Sequence, residues 1–282
     1  MTLTSPARPN DPRSEDRWLV SRRSVLAGAG AAGAVAGMDL AARPALATPR
    51  TDAAAAQAAG ADVRLGAGTN FGVRLSPDGT RIAHDALGVL WVGSSSGGTL
   101  RRLTSDYDDI AQPDWSPDGK LIAYQGYREG NFDLWTIRPD GSGRRRLTSG
   151  PADHREPRWS PDGRYLAFSS DVRGSYGIYT YDTRTGRIAV VTQTDAEEYE
   201  PTWSPDGKRI AFVVAKTKIE AVTVASGART TLVEGRKGDE ISQPQFTPDG
   251  ATVVYHLFRA GQNSLMRGDA PLVEGRPSTP SA

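Results

Sequence analysis

The sequence predicts an all-β protein assembled from repeated units of four short strands. A turn motif, Ser-Pro-Asp-Gly or Thr-Pro-Asp-Gly, occurs five times, and its copies are 40, 44, 44 and 43 residues apart. Four copies follow a Pro-x-aromatic triplet, and short apolar runs separate the turns. This period, with four strands per repeat, is typical of a β-propeller. The five turns are Ser76–Gly79, Ser116–Gly119, Ser160–Gly163, Ser204–Gly207 and Thr247–Gly250.

The first strand of each repeat is predicted to end at the aromatic residue before the turn. A single blade cannot bury both of its faces, so a residue that recurs with the period is best explained as packing between neighbouring blades. The proline two residues earlier suits the start of a strand, where a missing N–H costs least. The aromatic residues are Trp115, Trp159, Trp203 and Phe246, and the first copy has Leu75 instead.

The remaining strands of each repeat follow the turn. Pro-Asp-Gly is a hairpin signal, because proline presets φ and glycine takes the left-handed position. The second strands are predicted at Leu121–Tyr124, Tyr165–Phe168, Arg209–Phe212 and Thr252–Tyr255. Third strands are predicted at Leu134–Ile137 and Ile178–Tyr181, and fourth strands at Arg145–Thr148 and Ala189–Thr192.

The repeat, Glu/Gln-Pro-x-Trp-Ser-Pro-Asp-Gly followed by an Ile-Ala-Phe/Tyr type strand, resembles the TolB-type propeller repeat and covers residues from about 62 to 275. The resemblance implies a ring that is usually six-bladed, a location outside the cytoplasm and a role as a docking platform. Similar propellers are also fused to exported hydrolases, either metal-dependent amidohydrolases or prolyl-oligopeptidase-like serine peptidases. Both kinds of protein remain open at this point.

The N-terminal region has the order of an export signal. Arg22 and Arg23 precede the weakly apolar run 27–38, and Ala45-Leu46-Ala47 offers a small-residue cleavage site. The paired arginines resemble the twin-arginine signal of bacteria, which predicts a periplasmic or extracellular protein. The apolar run is too short to span a membrane. We therefore predict a signal peptide at 1–47, an Ala-rich linker at 48–61, the propeller at 62–275 and a disordered tail at 276–282.

The termini predict an incomplete ring. Residues 62–66 read as a fourth strand without a blade of its own, whereas 270–274 align with the fourth strand of the fifth repeat. About thirty residues would then be missing from a six-bladed ring of ~43-residue repeats. The chain would be a truncated product of a longer protein. The alternative is a closed ring of five blades.

Composition and motifs favour a protein without catalytic machinery or a cofactor. The chain has no cysteine and three histidines, so neither a thiolate site nor a zinc centre is easily furnished. Gly93–Gly97 matches the nucleophile-elbow pattern but occupies a predicted β-turn, not the strand–turn–helix that the elbow requires. His154 is expected in a solvated loop. A formal net charge of +1 gives no global argument for nucleic acid.

Acidic residues recur where the fourth strand of one blade connects to the first strand of the next. These connections should emerge together around the channel, so the sequence predicts a negative collar at its mouth. Such a collar could bind a cationic peptide segment or, less readily, calcium; alternatively, the charges only solvate the loops. The ten collar residues are Asp106, Asp108, Asp109, Asp153, Glu156, Glu197, Glu198, Glu200, Asp239 and Glu240.

The function that the sequence favours is an exported, non-catalytic propeller that binds a protein or peptide at the channel face. The alternative is the propeller part of an exported hydrolase whose catalytic domain is absent from this chain. The oligomeric state and the identity of the partner are not specified by any motif.

Overall fold

A computed structural model describes residues 72–105, 108–269 and 276–277, and these residues form five antiparallel sheets of four strands each. Blade 1 consists of β1 (Val73–Leu75), β2 (Arg81–Ala86), β3 (Val89–Ser94) and β4 (Arg101–Arg102). Blade 2 consists of β5 (Ile110–Trp115), β6 (Ile122–Arg128), β7 (Asn131–Ile137) and β8 (Arg145–Arg146). Blade 3 consists of β9 (His154–Trp159), β10 (Tyr165–Ser170), β11 (Gly177–Asp182) and β12 (Ile188–Thr192). Blade 4 consists of β13 (Glu198–Trp203), β14 (Arg209–Val214), β15 (Lys218–Thr223) and β16 (Arg229–Glu234). Blade 5 consists of β17 (Glu240–Phe246), β18 (Thr252–Arg259), β19 (Gln262–Asp269) and β20 (Arg276–Pro277).

Each blade is an up-and-down meander in which strands pair in chain order. The first strands of consecutive blades contact one another along the series β1, β5, β9, β13 and β17, so they lie innermost, around a central channel. The predicted all-β propeller is confirmed. Within the described ranges, no helix is long and apolar enough to cross a membrane.

The turn motif closes each first hairpin through its own side chains. In blade 2, the Ser116 hydroxyl donates to Asp118 Oδ1 at 2.7 Å, and the Gly119 N–H donates to the Ser116 carbonyl at 2.8 Å. Gly119 has φ +67°, a conformation that favours glycine. The motif therefore recurs because each of its polar residues and its glycine is needed for the turn.

The aromatic residues before the turns pack between blades, as predicted. Four hydrophobic clusters each combine the second and third strands of one blade with the next blade. Each cluster pairs the aromatic residue of one blade with an alanine on the second strand of the preceding blade. The pairs are Trp115 with Ala83, Trp159 with Ala123, Trp203 with Ala167, and Phe246 with Ala211. The small alanine side chain leaves room for the large ring.

Blades 5 and 1 are joined differently. Among the described residues they share no hydrophobic cluster, and Val73 and Leu75 on β1 are 51% and 58% exposed. The guanidinium of Arg74 lies 3.1 Å from the side-chain amide of Gln245, whose oxygen accepts from it when the amide is turned toward it. Hydrophobic packing thus links each of blades 1 to 4 with the blade that follows it, whereas the contact described between blades 5 and 1 is polar.

Two expectations about strand ends need correction. The prolines do not begin their strands: Pro113 is the fourth residue of β5, at a β-bulge where the register with β6 shifts between Ala111 and Asp114. A bulge tolerates proline because the extra residue needs no ladder partner.

In blade 5 the fourth strand is Arg276–Pro277, which pairs with Met266 and Arg267. Two residues of the predicted tail therefore belong to the sheet, whereas the strands expected at 62–66 and 270–274 lie outside the described residues.

Candidate functional site

The bulges of the first strands place a ring of Gln and Glu residues at the central channel. In blades 2 to 5 the residue before the proline has a left-handed backbone, with φ between +53° and +60°. Non-glycine residues rarely adopt this conformation, and such strain concentrates at functional positions. We call these four residues the channel ring: Gln112, Glu156, Glu200 and Gln243.

The channel ring links one blade to the next by hydrogen bonds. The backbone N–H of Gln243 donates to the Glu200 carboxylate, and the N–H of Glu200 donates to Glu156 Oε2 at 2.6 Å. The N–H of Glu156 in turn donates to Gln125 Oε1 at 2.8 Å. The two carboxylates therefore hold backbone groups of the following blade while facing the channel.

Further charged residues of the first and second strands surround the ring. Arg74 Nε lies 3.6 Å from Asp114 Oδ1, and Asp114 Oδ2 accepts from the Trp159 N–H at 2.8 Å. Arg158, which is 7% exposed, donates to Gln112 Oε1 at 3.0 Å. Asp85 Oδ1 accepts from the Gly72 N–H at 2.7 Å. Four carboxyl groups and two guanidiniums thus share a partly desolvated site.

Burial and neighbouring charges shift the pKa values of these groups. Burial, reinforced by the charge of Glu156, raises the pKa of Glu200 to about 7. Burial raises the pKa of Asp85 to about 7 and also raises that of Asp114. The positive charge of Arg158, with burial, lowers the pKa of Arg74 to about 10. The channel therefore contains carboxyl groups that can hold protons near neutral pH.

Much of the predicted acidic collar is compensated by arginine. Asp108, Glu198 and Asp239 are buried, and their carboxylates accept from guanidiniums rather than facing solvent unpaired. The four arginine pairs are Asp108–Arg144 at 2.7 Å, Asp153–Arg155 at 2.6 Å, Glu198–Arg229 at 2.8 Å and Asp239–Arg259 at 2.6 Å. These residues contribute to the stability of the loops and strand ends.

Two collar residues cap the third strand of the preceding blade. Asp153 Oδ1 accepts from the Phe132 N–H at 2.8 Å, and Glu197 Oε2 accepts from the Tyr176 N–H at 3.0 Å. Asp153 and Glu197 occupy the same position in their repeats, so their period reflects a repeated contact between blades. A period in acidic residues is thus no evidence by itself for a ligand.

The structure brings only part of the collar to the channel. Glu156 and Glu200 are in contact there, within first strands rather than loops. Glu240 is exposed at the start of β17, the Asp109 carbonyl accepts from Tyr127, and Asp106 lies outside the described residues.

Sequence reasoning missed several residues at the channel, among them Gln112, Gln243, Asp114, Arg158 and Arg74. Their repeated position in the sequence could have identified them, because four of them stand next to the proline of the repeat. Arg74 aligns with the position after that proline.

The remaining candidate residues carry no catalytic arrangement. His154 is not in a solvated loop as expected: it begins β9, is 5% exposed and packs edge-on against Phe168. Burial lowers its pKa. Ser94, inside the elbow-like motif, ends β3, and its hydroxyl hydrogen-bonds with that of Ser96. Of the residues described, no three His, Cys, Asp or Glu side chains are grouped so that they could hold a metal ion.

Comparisons with known proteins agree with this architecture. The sequence profile of the TolB beta propeller domain matches residues 69–271. TolB from Acinetobacter baumannii superposes with a TM-score of 0.60 at 23% identity, covering 73% of this chain and 55% of that chain. A putative TolB from Agrobacterium tumefaciens superposes at 0.65 and 21% identity, covering 73% and 79%.

A puromycin hydrolase superposes at 0.57 and 18% identity, covering 74% of this chain and 38% of that chain. This chain thus spans about half the length of the Acinetobacter protein and a smaller part of the hydrolase. These likenesses to solved structures support the fold. No curated protein sequence matches the chain.

Proposed function

Because this chain belongs to the TolB beta propeller domain family, we propose that it is an exported, non-catalytic propeller that binds a protein or peptide through the face of its central channel. The observation that carries this proposal is the cluster of strained, charged residues that the first strands place at the channel. Rigid structure that holds strained residues in place is typical of binding sites.

The charge of the channel specifies the kind of segment that would bind. Glu156, Glu200, Asp85 and Asp114 outnumber Arg74 and Arg158, and the pKa values of three of these acids are raised because the two arginines offset their desolvation only in part. A lysine or arginine side chain entering the channel would stabilise the ionised carboxylates. The proposed ligand is therefore a cationic peptide segment, with Glu156 and Glu200 as its principal contacts.

Glu156 and Glu200 also provide the cleanest test. The full chain is titrated calorimetrically with a lysine- and arginine-rich peptide, and Glu156→Gln and Glu200→Gln are compared with Glu240→Gln as an exposed control. We expect weaker binding in the two channel variants, unchanged binding in the control, and affinity that falls as salt rises. Equal binding in all four proteins would contradict the proposal. Glu198 and Asp239 are unsuitable, because each is buried in an ion pair with an arginine of its own blade, and replacing either one would disturb that pair.

Export is proposed from the N-terminal signal, which lies outside the described residues. Arg22→Lys combined with Arg23→Lys should leave the protein unprocessed inside a bacterial host, since the twin-arginine address is read by a receptor. Processing that continues unchanged in the double variant would argue against this route.

A second candidate is the propeller part of an exported hydrolase. The superposition on puromycin hydrolase, of which 38% is covered, favours it. Gly93–Gly97 covers the last two residues of β3 and the start of the turn that leads to β4, so it lacks the strand–turn–helix context of a nucleophile elbow. A reading frame that continues into a His-x-His barrel or an α/β domain with Gly-x-Ser-x-Gly would support the hydrolase.

A further inference from the structure

The face of the propeller that carries the Ser-Pro-Asp-Gly turns uses arginine in a repeated way. Arg81 begins β2, and its guanidinium lies 4.8 Å from the ring centre of Trp115 in the next blade. The same guanidinium donates to the Gly119 carbonyl of the next turn at 3.5 Å. One guanidinium thus covers the aromatic ring and also satisfies a turn carbonyl.

The junction between blades 4 and 5 repeats this arrangement. The Arg209 guanidinium lies 5.2 Å from the ring centre of Phe246 and donates to the Gly250 carbonyl at 3.3 Å. Two of the four packed junctions therefore have a ring, a glycine carbonyl and a guanidinium between them. At both junctions, the group that fits between the aromatic ring and the glycine carbonyl is a guanidinium.

At the junction between blades 3 and 4 the arginine is replaced by Tyr165. Its ring stacks on Trp203 with centroids 6.5 Å apart and an interplanar angle of 27°. A cavity of about 220 Å³ remains between the two turns. The cavity is lined by Ser160, Pro161, Asp162, Tyr165, Trp203, Asp206, Gly207 and Val224.

The cavity is negatively charged. Asp162 and Asp206 line it, and hydrogen bonds from Ser160 and Ser204 lower their pKa values, which keeps both ionised at neutral pH. Three cations lie nearby: Arg164 lies over the ring of Tyr165 and pairs with Asp182 at 3.0 Å, and the charges of Lys208 and Arg209 help to lower the pKa of Asp206. None of the three lines the cavity.

We propose that the cavity between blades 3 and 4 binds the guanidinium group of an arginine side chain presented by a peptide or protein partner. The rings of Tyr165 and Trp203, which both line the cavity, supply the aromatic surface. The Gly207 carbonyl accepts a hydrogen bond, and Asp162 and Asp206 supply the opposing charge. Planar guanidinium suits this combination better than an ammonium group, because it stacks and donates at the same time. This site lies at the turn face, so it is independent of the channel proposal.

The first test uses blocked arginine, Nα-acetyl-arginine N-methylamide, with the blocked citrulline analogue as a neutral probe of the same shape. Binding to the full chain is followed by the indole N–H NMR signal of Trp203, which is identified by its loss in Trp203→Phe. We expect a saturable shift and arginine binding roughly two- to fivefold tighter than citrulline, the size of an exposed cation–π contact. Equal affinities, or no shift of the Trp203 signal, would overturn the proposal.

The second test exchanges the residues that cover the rings. Tyr165→Arg should fill the cavity from within, abolish the arginine-dependent shift and raise the melting temperature. Arg81→Tyr should open an equivalent site, so that the Trp115 indole signal responds to the probe. Undiminished probe binding in Tyr165→Arg, or no gain at Trp115 in a folded Arg81→Tyr protein, would count against the site.

Discussion

Replacing Glu200 by glutamine should change how the stability of the propeller depends on pH. Burial and the neighbouring Glu156 raise the pKa of Glu200 from its ordinary 4.5 to about 7. An acid with a raised pKa binds its proton more tightly in the folded protein than in the unfolded chain. Its stabilising contribution is therefore complete below pH 4.5 and is lost as the pH rises toward 7.

The size of this effect follows from the shift. At about 1.4 kcal/mol per pKa unit, the shift corresponds to an upper limit of about 3 kcal/mol in the free energy of unfolding. Glutamine can still accept the Gln243 N–H but cannot ionise. The variant should therefore gain stability relative to the wild type as the pH rises from 4.5 to 7, by up to ~3 kcal/mol.

Urea denaturation of both proteins between pH 4 and 8 at constant ionic strength measures this difference. Because Asp85 titrates over an overlapping range, the difference between proteins is the useful quantity. Glu234→Gln is the matched control, since its side chain is 48% exposed and pairs with Lys218 at the surface. A difference between Glu200→Gln and the wild type that does not vary with pH, or that varies in the opposite direction, would refute this reasoning.

Three further substitutions test the packing and the polar contacts between strands and blades. Arg229→Ala leaves the fully buried carboxylate of Glu198 without its guanidinium and should lower the free energy of unfolding by about 3–5 kcal/mol; a loss under 1 kcal/mol in urea denaturation would be inconsistent with a buried ion pair. Trp203→Phe should lower the free energy of unfolding by ~1 kcal/mol more than Trp159→Phe, because the Trp203 indole N–H donates to the Arg158 carbonyl of blade 3, whereas the Trp159 indole N–H makes no hydrogen bond; equal melting temperatures of the two variants would contradict it. Ala167→Leu should destabilise the protein by ~1–3 kcal/mol through overpacking, and calorimetry that finds no change would show that the aromatic residue does not need the small partner.

The fold could be predicted because the repeat is encoded locally. The turn is determined by contacts that span only a few residues, such as those among Ser116, Asp118 and Gly119. The motif can therefore be recognised without the tertiary structure. The aromatic residue, such as Trp115, signals packing because it recurs with the blade. Its alanine partner could not be found in this way, since Ala83 is far away in sequence and is ordinary in any strand.

The candidate site was predictable only in part. Glu156 and Glu200 were included because acidic residues recur near the blade connections, but the same reasoning also included Asp108 and Glu198, which the structure pairs with arginines. Charge patterns along a sequence do not show which oppositely charged group each carboxylate will meet. The pairing partner of Glu198, Arg229, belongs to the fourth strand of the same blade and is thirty-one positions away.

The amino-acid sequence by itself determined the repeat, its hairpins and the aromatic packing positions, because these depend on local backbone preferences and on periodic side-chain burial. Only the tertiary structure decided which carboxylates are neutralised, which face the channel and that a cavity lies beside Tyr165, whereas arginine covers the aromatic ring at two other junctions. Those outcomes depend on distances between side chains of different blades, and such distances exist only after the blades have packed together.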